Sequence, residues 1–238
     1  KILGMPMFWI GDAIEGLLWA AGFDLNKGTE GWRVALGYGA VYGTWNYTGN
    51  HKADIISNSW GSSAWPIYWY GLPWYDLLTI LEDALTVPGY LHPDYPGTVI
   101  VHAGGNGAAG YGTVTEPVYG TLPIIVGAST SLNYYKYSGY KGGYHDEVIS
   151  YSARGPTPLG NVKPDVVNIG ASGWVPGPVW VGGGSGSSAF SLFGGTSMAT
   201  PLTAGASALI IQAYRRAYGT SPTPETTKVI LKSSAQDL

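Results

Sequence analysis

The sequence contains no cysteine, which excludes a disulfide framework, a thiol nucleophile and a thiolate metal site. Charge is nearly as scarce. Charged residues make up 11% of the 238 positions and the formal net charge is −3, with no Lys/Arg run and no basic stripe, so the electrostatic footprint of a nucleic-acid binder is missing. Acidic tails are absent too. No apolar run reaches the roughly 18 residues of a membrane span. The stretch from Lys1 to Gly11 is faintly like a signal peptide, but Asp12 and Glu15 interrupt it and no small-residue cleavage site comes after it. The first residue is Lys rather than Met, and the chain reads as a piece of something longer.

What is present is glycine, 37 residues, together with 16 Pro, 18 Tyr and 10 Trp. The Gly and Pro punctuate apolar runs, the habit of a folded, loop-rich protein. A low-charge, Tyr/Trp/Gly-rich surface hints at an extracellular or cell-surface location. Asn46-Tyr47-Thr48 is a lone glycosylation sequon, a tripeptide that chance also produces.

Hydrophobic spacing predicts the elements. Lys1–Met5 reads as a short strand. Ile10, Ala13, Ile14, Leu17, Leu18 and Ala21 recur at helical spacing and predict an amphipathic helix over 11–23. Residues 24–52, rich in Gly and aromatics, read as an insertion loop. Ala53–Ser59 is strand-like. A helix is expected over Trp74–Leu85, with Leu77, Leu78, Leu81 and Leu85 on one face and a stop at Pro88-Gly89. Thr98–Ala103 and Leu122–Ala128 are near-continuous apolar runs, as expected of strands buried on both faces of a parallel sheet. Only short strands are expected over 129–196. Ser197–Ala217 reads as a helix apolar almost all round, hence buried. Thr223, Pro224 and Glu225 form an N-cap, a first-turn proline and a dipole-matched acid at the start of a last helix. Strands alternating with helices argue for an α/β fold. No repeat or internal boundary is visible, so residues 1–238 read as one domain.

The segment Gly194-Gly195-Thr196-Ser197-Met198-Ala199-Thr200-Pro201 stands where a Gly-rich loop becomes a helix. Glycines let a backbone approach a substrate closely. A helix start offers unpaired N–H groups and the positive end of the dipole, where an oxyanion is stabilised. By spacing alone Ser197 is either a helix cap or a nucleophile. Asn106, between Gly105 and Gly107, is either a turn residue or a side-chain donor.

The whole string resembles the nucleophile signature of subtilisin-like serine proteases, Gly-Thr-Ser-Met-Ala-x-Pro. Other segments resemble that family in the same order. Ser57-Asn58-Ser59-Trp60-Gly61 resembles the edge that pairs with the substrate backbone. Ala103-Gly104-Gly105-Asn106-Gly107 resembles the facing pocket wall that ends in the oxyanion-hole Asn. Leu122–Ala128, Tyr151–Pro156, Lys163–Val166 and the stretch from Thr223 to Leu238 come next. The resemblance implies a subtilisin-like three-layer α/β fold, with a mostly parallel central sheet between helices and its N-terminal part missing. It implies a serine endopeptidase with Ser197 as nucleophile, Asn106 and the Ser197 N–H as oxyanion donors, and Ser59, Trp60, Gly61, Ala103, Gly104, Gly105 and Thr196 against a polypeptide substrate. Trp60 leans towards a large apolar substrate side chain, and Glu116-Pro117 is a candidate floor. Met198 resembles the family's oxidation-prone neighbour of the nucleophile. No cofactor is required. Calcium is frequent in the family, but no ligand-spaced Asp cluster stands in the sequence.

A serine of ordinary pKa needs a base held by a third group. None of His51, His92, His102 and His145 stands in a His-Gly-x-His context, and no Asp stands in an Asp-Thr/Ser-Gly context. His102, within a strand, reads as structural rather than as a substitute base. Matching to the family begins past the point where its Asp and His occur, so the resemblance places them on a segment upstream of Lys1 in the same precursor. Three readings stay open: a chain lacking its first part, a nicked precursor, and an inactive relative acting as a binding or adhesion module of the cell surface.

Overall fold

The computed structural model describes residues 10–27, 33–34, 41–61, 77–131, 147–171, 173–176 and 190–237. The strand expected over Lys1–Met5 and most of the aromatic stretch after Gly61 lie outside them.

Helix α1, Ile10–Ala20, buries Ala13, Ile14, Leu17 and Leu18, the stripe expected from spacing. It stops at Gly22, whose φ of 93° suits glycine. The segment after Gly22 is not the insertion loop expected from its composition. Strands β1 (Phe23–Lys27), β2 (Arg33–Val34) and β3 (Val41–Tyr47) form an antiparallel sheet in the order β1-β3-β2, and Phe23 pairs with Tyr47. Among the described aromatics of this segment, Trp45 and Tyr47 are partly buried against the core. Phe23, Tyr47 and Tyr95 meet edge-on or tilted, with centroids 5.3 Å apart.

The central sheet is parallel, in the order β4-β5-β6-β7, from Ile55–Asn58, Val99–Ala103, Ile124–Ser129 and Val166–Ile169. Every residue of β5 and β6 is buried, as continuous apolar runs require. The period of two sorts their side chains between layers. Val99 and Val101 join Ile124, Val126, Ala199 and Ile211 on one face, whereas Ile100 joins α1 and Leu78 and Leu85 of α2 (Leu77–Thr86) on the other. Leu77, expected on the buried stripe, is exposed at the first position of α2. A hairpin of β8 (Gly173–Pro176) and β9 (Phe190–Phe193) precedes the long helix α3, Thr196–Tyr218.

Helix α3 departs from the expectation of an apolar helix buried all round. Leu202 and Leu209 are exposed. The buried face is largely hydroxylic: Thr196, Thr200, Thr203 and Ser207 alongside Ala199 and Ile211. Three of those hydroxyls donate to the carbonyl four residues back, at 2.7 to 3.0 Å, so each is satisfied within the helix while its small side chain lets α3 lie close to the sheet. Gly219, φ 73°, ends it. Helix α4, Pro224–Ser234, begins as read from sequence, with Thr223 Oγ1 accepting from the Thr226 N–H at 3.1 Å. Lys228 ties α4 to the sheet: Nζ reaches the Thr121 and Pro123 carbonyls and Asp165. Burial favours a neutral Asp165, but Lys163 and Lys228 outweigh it and hold the carboxyl below its ordinary range. None of the helices among the described residues is long and apolar enough to cross a membrane.

Candidate active site at the start of helix α3

Gly195 is the N-cap of α3. Its φ of 115° favours glycine, and it has no side chain to cap the helix. The cap comes from across the domain. Asn106, in the loop after β5, accepts on Oδ1 from the Thr196 N–H at 2.9 Å and the Thr196 hydroxyl at 3.1 Å. The Gly105 N–H in turn donates to the Thr196 hydroxyl at 3.2 Å. Two donors on Oδ1 define the orientation of the amide, leaving Nδ2 with no hydrogen bond among the described residues.

Ser197 is the second residue of α3. Met198 and Ala199 turn their N–H groups to the Gly195 carbonyl, and Thr196 donates to Asn106. The Ser197 N–H is thus the one in the first turn with no acceptor among the described residues. The Ser197 carbonyl also lacks its usual partner, because residue 201 is proline and has no N–H. Ser59 fills that place: its hydroxyl donates to the Ser197 carbonyl at 3.0 Å, and the Ser197 hydroxyl donates to the Ser59 carbonyl at 3.3 Å. These reciprocal bonds fasten the end of the β4 segment to the start of α3.

Between them lies a cleft of about 300 Å³. Ser59, Trp60 and Gly61, Ala103 and Gly105, and Asn106, Thr196 and Ser197 all line it, whereas Gly104 and the candidate floor Glu116-Pro117 do not. Gly104 is buried, its N–H donates to the Val126 carbonyl at 2.9 Å and its own carbonyl accepts from Thr115. Thr115 lines the cleft and was not visible in the sequence. A Cβ at Gly105 would fall 2.7 Å from its Oγ1, and one at Gly61 would fall 3.2 Å from the same atom. Thr115 therefore stands between the two glycine walls, with the Glu116 carbonyl oxygen beside it, 2.9 Å from a Cβ built at Gly61. Only the reach of those walls in space identifies it.

None of the described histidines lines the cleft. His51 stacks on Trp19, and His92 lies beside Asp94 and Tyr47. His102 is fully buried, with Nε2 3.6 Å from Glu82 Oε1, too long for a hydrogen bond, and burial lowers its pKa to about 4. His145 lies outside the described residues. Among the described residues the Ser197 hydroxyl is bonded to Ser59, not to a histidine. No three His, Asp or Glu side chains among them gather as a cation site requires, so no calcium site is assigned.

The model of the subtilase family matches residues 17–238. The chain belongs to the subtilase family. It is 34% identical over 203 residues to pyrolysin of Pyrococcus furiosus, covering 79% of this chain and 13% of pyrolysin. It is 32% identical over 145 residues to the serine protease AprX of Bacillus subtilis, covering 58% of this chain and 30% of AprX. The chain thus spans well under half the length of either relative. Among solved structures it resembles a lanthipeptide protease, with a TM-score of 0.58 at 17% identity, covering 96% of this chain and 59% of that one. It also resembles a cold-adapted subtilisin-like serine proteinase, with a TM-score of 0.53 at 21% identity, covering 94% and 54%. Such identities speak to fold alone, and the fold is the subtilase three-layer α/β arrangement, its parallel sheet flanked by helices.

Proposed function

We propose that this subtilase chain carries the nucleophile half of a serine endopeptidase, cleaving polypeptides through an acyl-enzyme on Ser197. The observation that carries the reading is the convergence, in one cleft at a helix N-terminus, of the Ser197 hydroxyl, the Asn106 amide and a Ser197 N–H that has no acceptor among the described residues. In this reading the Ser197 Oγ attacks the scissile carbonyl carbon and its proton passes to a histidine base. The carbonyl oxygen becomes an oxyanion, held by the Ser197 N–H and Asn106 Nδ2, with the helix dipole favouring the negative charge. The leaving amine takes the proton, and water then hydrolyses the ester. The β4–β5 pairing ends at Asn58 and His102, so the Ser59–Gly61 segment beyond it is the edge on which an extended substrate is proposed to lie. One substrate side chain enters between the glycine walls, against Trp60 and above Thr115. The base and its orienting Asp are assigned to an upstream segment of the same precursor. The chemistry calls on no cofactor. The scarcity of charge and the abundance of Tyr, Trp and Gly support action outside the cell.

The test uses the full-length protein, upstream segment included. A fluorophosphonate probe is expected to label the peptide containing Ser197, and a peptide substrate to be cleaved. Ser197→Ala should abolish labelling and lower turnover at least about a thousandfold. A full-length wild-type protein that is folded yet neither labelled nor active would replace this reading with that of a non-catalytic surface-binding module.

A further inference from the structure

Behind the apolar wall of the cleft runs a line of buried polar groups that the chemistry above does not use. Alternation along β4 puts Ile56, Asn58 and Trp60 on the face towards α1 and α2, and the same alternation on β5 puts Ile100 and His102 beside them. Asn58 and His102 are partners in register. The Trp60 indole N–H donates to Asn58 Oδ1 at 3.3 Å, and Asn58 Nδ2 donates to Glu82 Oε1 at 2.9 Å. The edge of one ring meets the face of the other between Trp60 and His102, with centroids 4.9 Å apart and planes at 76°. Glu82 and His102 are each 0% exposed, and Asn58 is 5% exposed.

The neighbours on this face are Leu78, Leu85 and Ile100. Apolar side chains would fill the space at lower desolvation cost than a carboxyl, an amide and an imidazole. What the polar groups add is direction. An indole has a single polar atom, so an acceptor in a fixed place selects its rotamer. That acceptor is an amide whose own orientation is fixed by Glu82. His102 bounds the ring from the side of β5. Trp60 is the only member of the set that lines the cleft.

We propose that Asn58, Glu82 and His102 are positioning residues for side-chain selection, acting through Trp60 to fix the apolar wall of the substrate cleft. The proposal rests on the endopeptidase reading. It assigns these residues no contact with substrate and no proton transfer.

The test compares two peptide substrates that differ only in the side chain before the scissile bond, phenylalanine or alanine, with full-length protein whose active fraction is titrated by the fluorophosphonate probe. The measured quantity is the ratio of the two kcat/KM values, which a loss of folded protein cannot move. Asn58→Leu and His102→Leu should each shift the ratio towards parity by at least about fivefold, through KM more than kcat, and His102→Phe, which keeps a ring against Trp60, should restore most of it. Trp60→Phe removes the N–H from a ring that lies only partly buried at the margin of the core, and so tests the proposal even where variants of the fully buried residues fail to fold. It should shift the ratio in the same direction. Adding Asn58→Leu to Trp60→Phe should shift it little further, because both break one path. A ratio unchanged in Trp60→Phe, or in folded Asn58→Leu with only thermal stability reduced, would overturn the proposal and leave the endopeptidase reading intact. Wild-type protein that the probe does not label would overturn that reading, and this one with it.

Discussion

Strand β4 and helix α3 meet at both ends, and the two meetings differ in kind. At one, Ser59 and Ser197 exchange hydrogen bonds beside a cleft of about 300 Å³. At the other, Asp54 and Arg215 form an ion pair at 2.6 Å beside a larger depression of about 420 Å³. The larger hollow has no hydroxyl among its lining residues, and its donors are side chains, Gln212, Arg215 and Arg216, rather than a helix start. It sits at the amino end of the strand and the carboxyl end of the helix, where the dipole is negative and Arg215 and Arg216 complement it. The smaller cleft sits at the carboxyl end of the parallel strands, where open α/β sheets bind ligands, and against a helix start able to stabilise an anion. Volume does not distinguish the two ends. The polarity of strand and helix does.

The sharpest way to break that comparison is Asn106→Asp. A carboxylate keeps an oxygen for the Thr196 donors, so the cap survives, but it presents an oxygen where the proposed oxyanion needs a donor. The expected loss in kcat is about 10²–10³-fold, the size known for a subtilisin that loses one such donor, with KM and thermal stability little changed. A fall confined to KM would show that Asn106 contacts substrate instead. The next effect concerns the buried layer behind the cleft. His102 has an ordinary value of 6.5 and a folded value of about 4, lowered by burial. The unfolded chain therefore binds the extra proton first. Stability from the neutral imidazole is complete above pH 6.5 and is lost as the pH falls towards 4, by about 3 kcal/mol in all. Denaturant unfolding of wild type against His102→Phe over that range should show the wild type losing more, and parallel curves would contradict it. The smallest effect belongs to the far end. Asp54 and Arg215 are about half exposed, so Arg215→Gln should cost under about 1 kcal/mol in stability and leave peptide cleavage unaltered. A tenfold fall in cleavage would show that the larger hollow takes part after all.

How legible each feature was in the sequence depends on the range of the interactions that make it. Strands β5 and β6 and the cap at Thr223 rest on local sequence, and they stand close to where spacing and capping rules put them. The serine loop was legible only as a whole string, because a serine at a helix start is ordinarily a cap. In fact the capping group is Asn106, and Ser197 is spared that task. Strands β1 and β3 were missed because the Gly- and aromatic-rich segment that holds them mimics a loop, and only pairing between Phe23–Lys27 and Gly43–Tyr47 makes them strands. The buried side of α3 was misjudged for a similar reason: threonine and serine count as polar until each hydroxyl is seen bonded within its own helix. Gly104 was misplaced and Thr115 missed because lining depends on which backbone groups the sheet has already taken.

The bonds that orient Ser197 have a consequence in time. Asn106 reaches Thr196 across 90 positions of chain, and Ser59 reaches Ser197 across 138. Contacts of such separation form late, since a long loop must close before they are rewarded. During synthesis the edge segment and Asn106 emerge first and wait for a partner made much later. Until the start of α3 is in place, neither Asn106 nor Ser59 has its partner, and a chain still lacking that helix holds no ordered cleft.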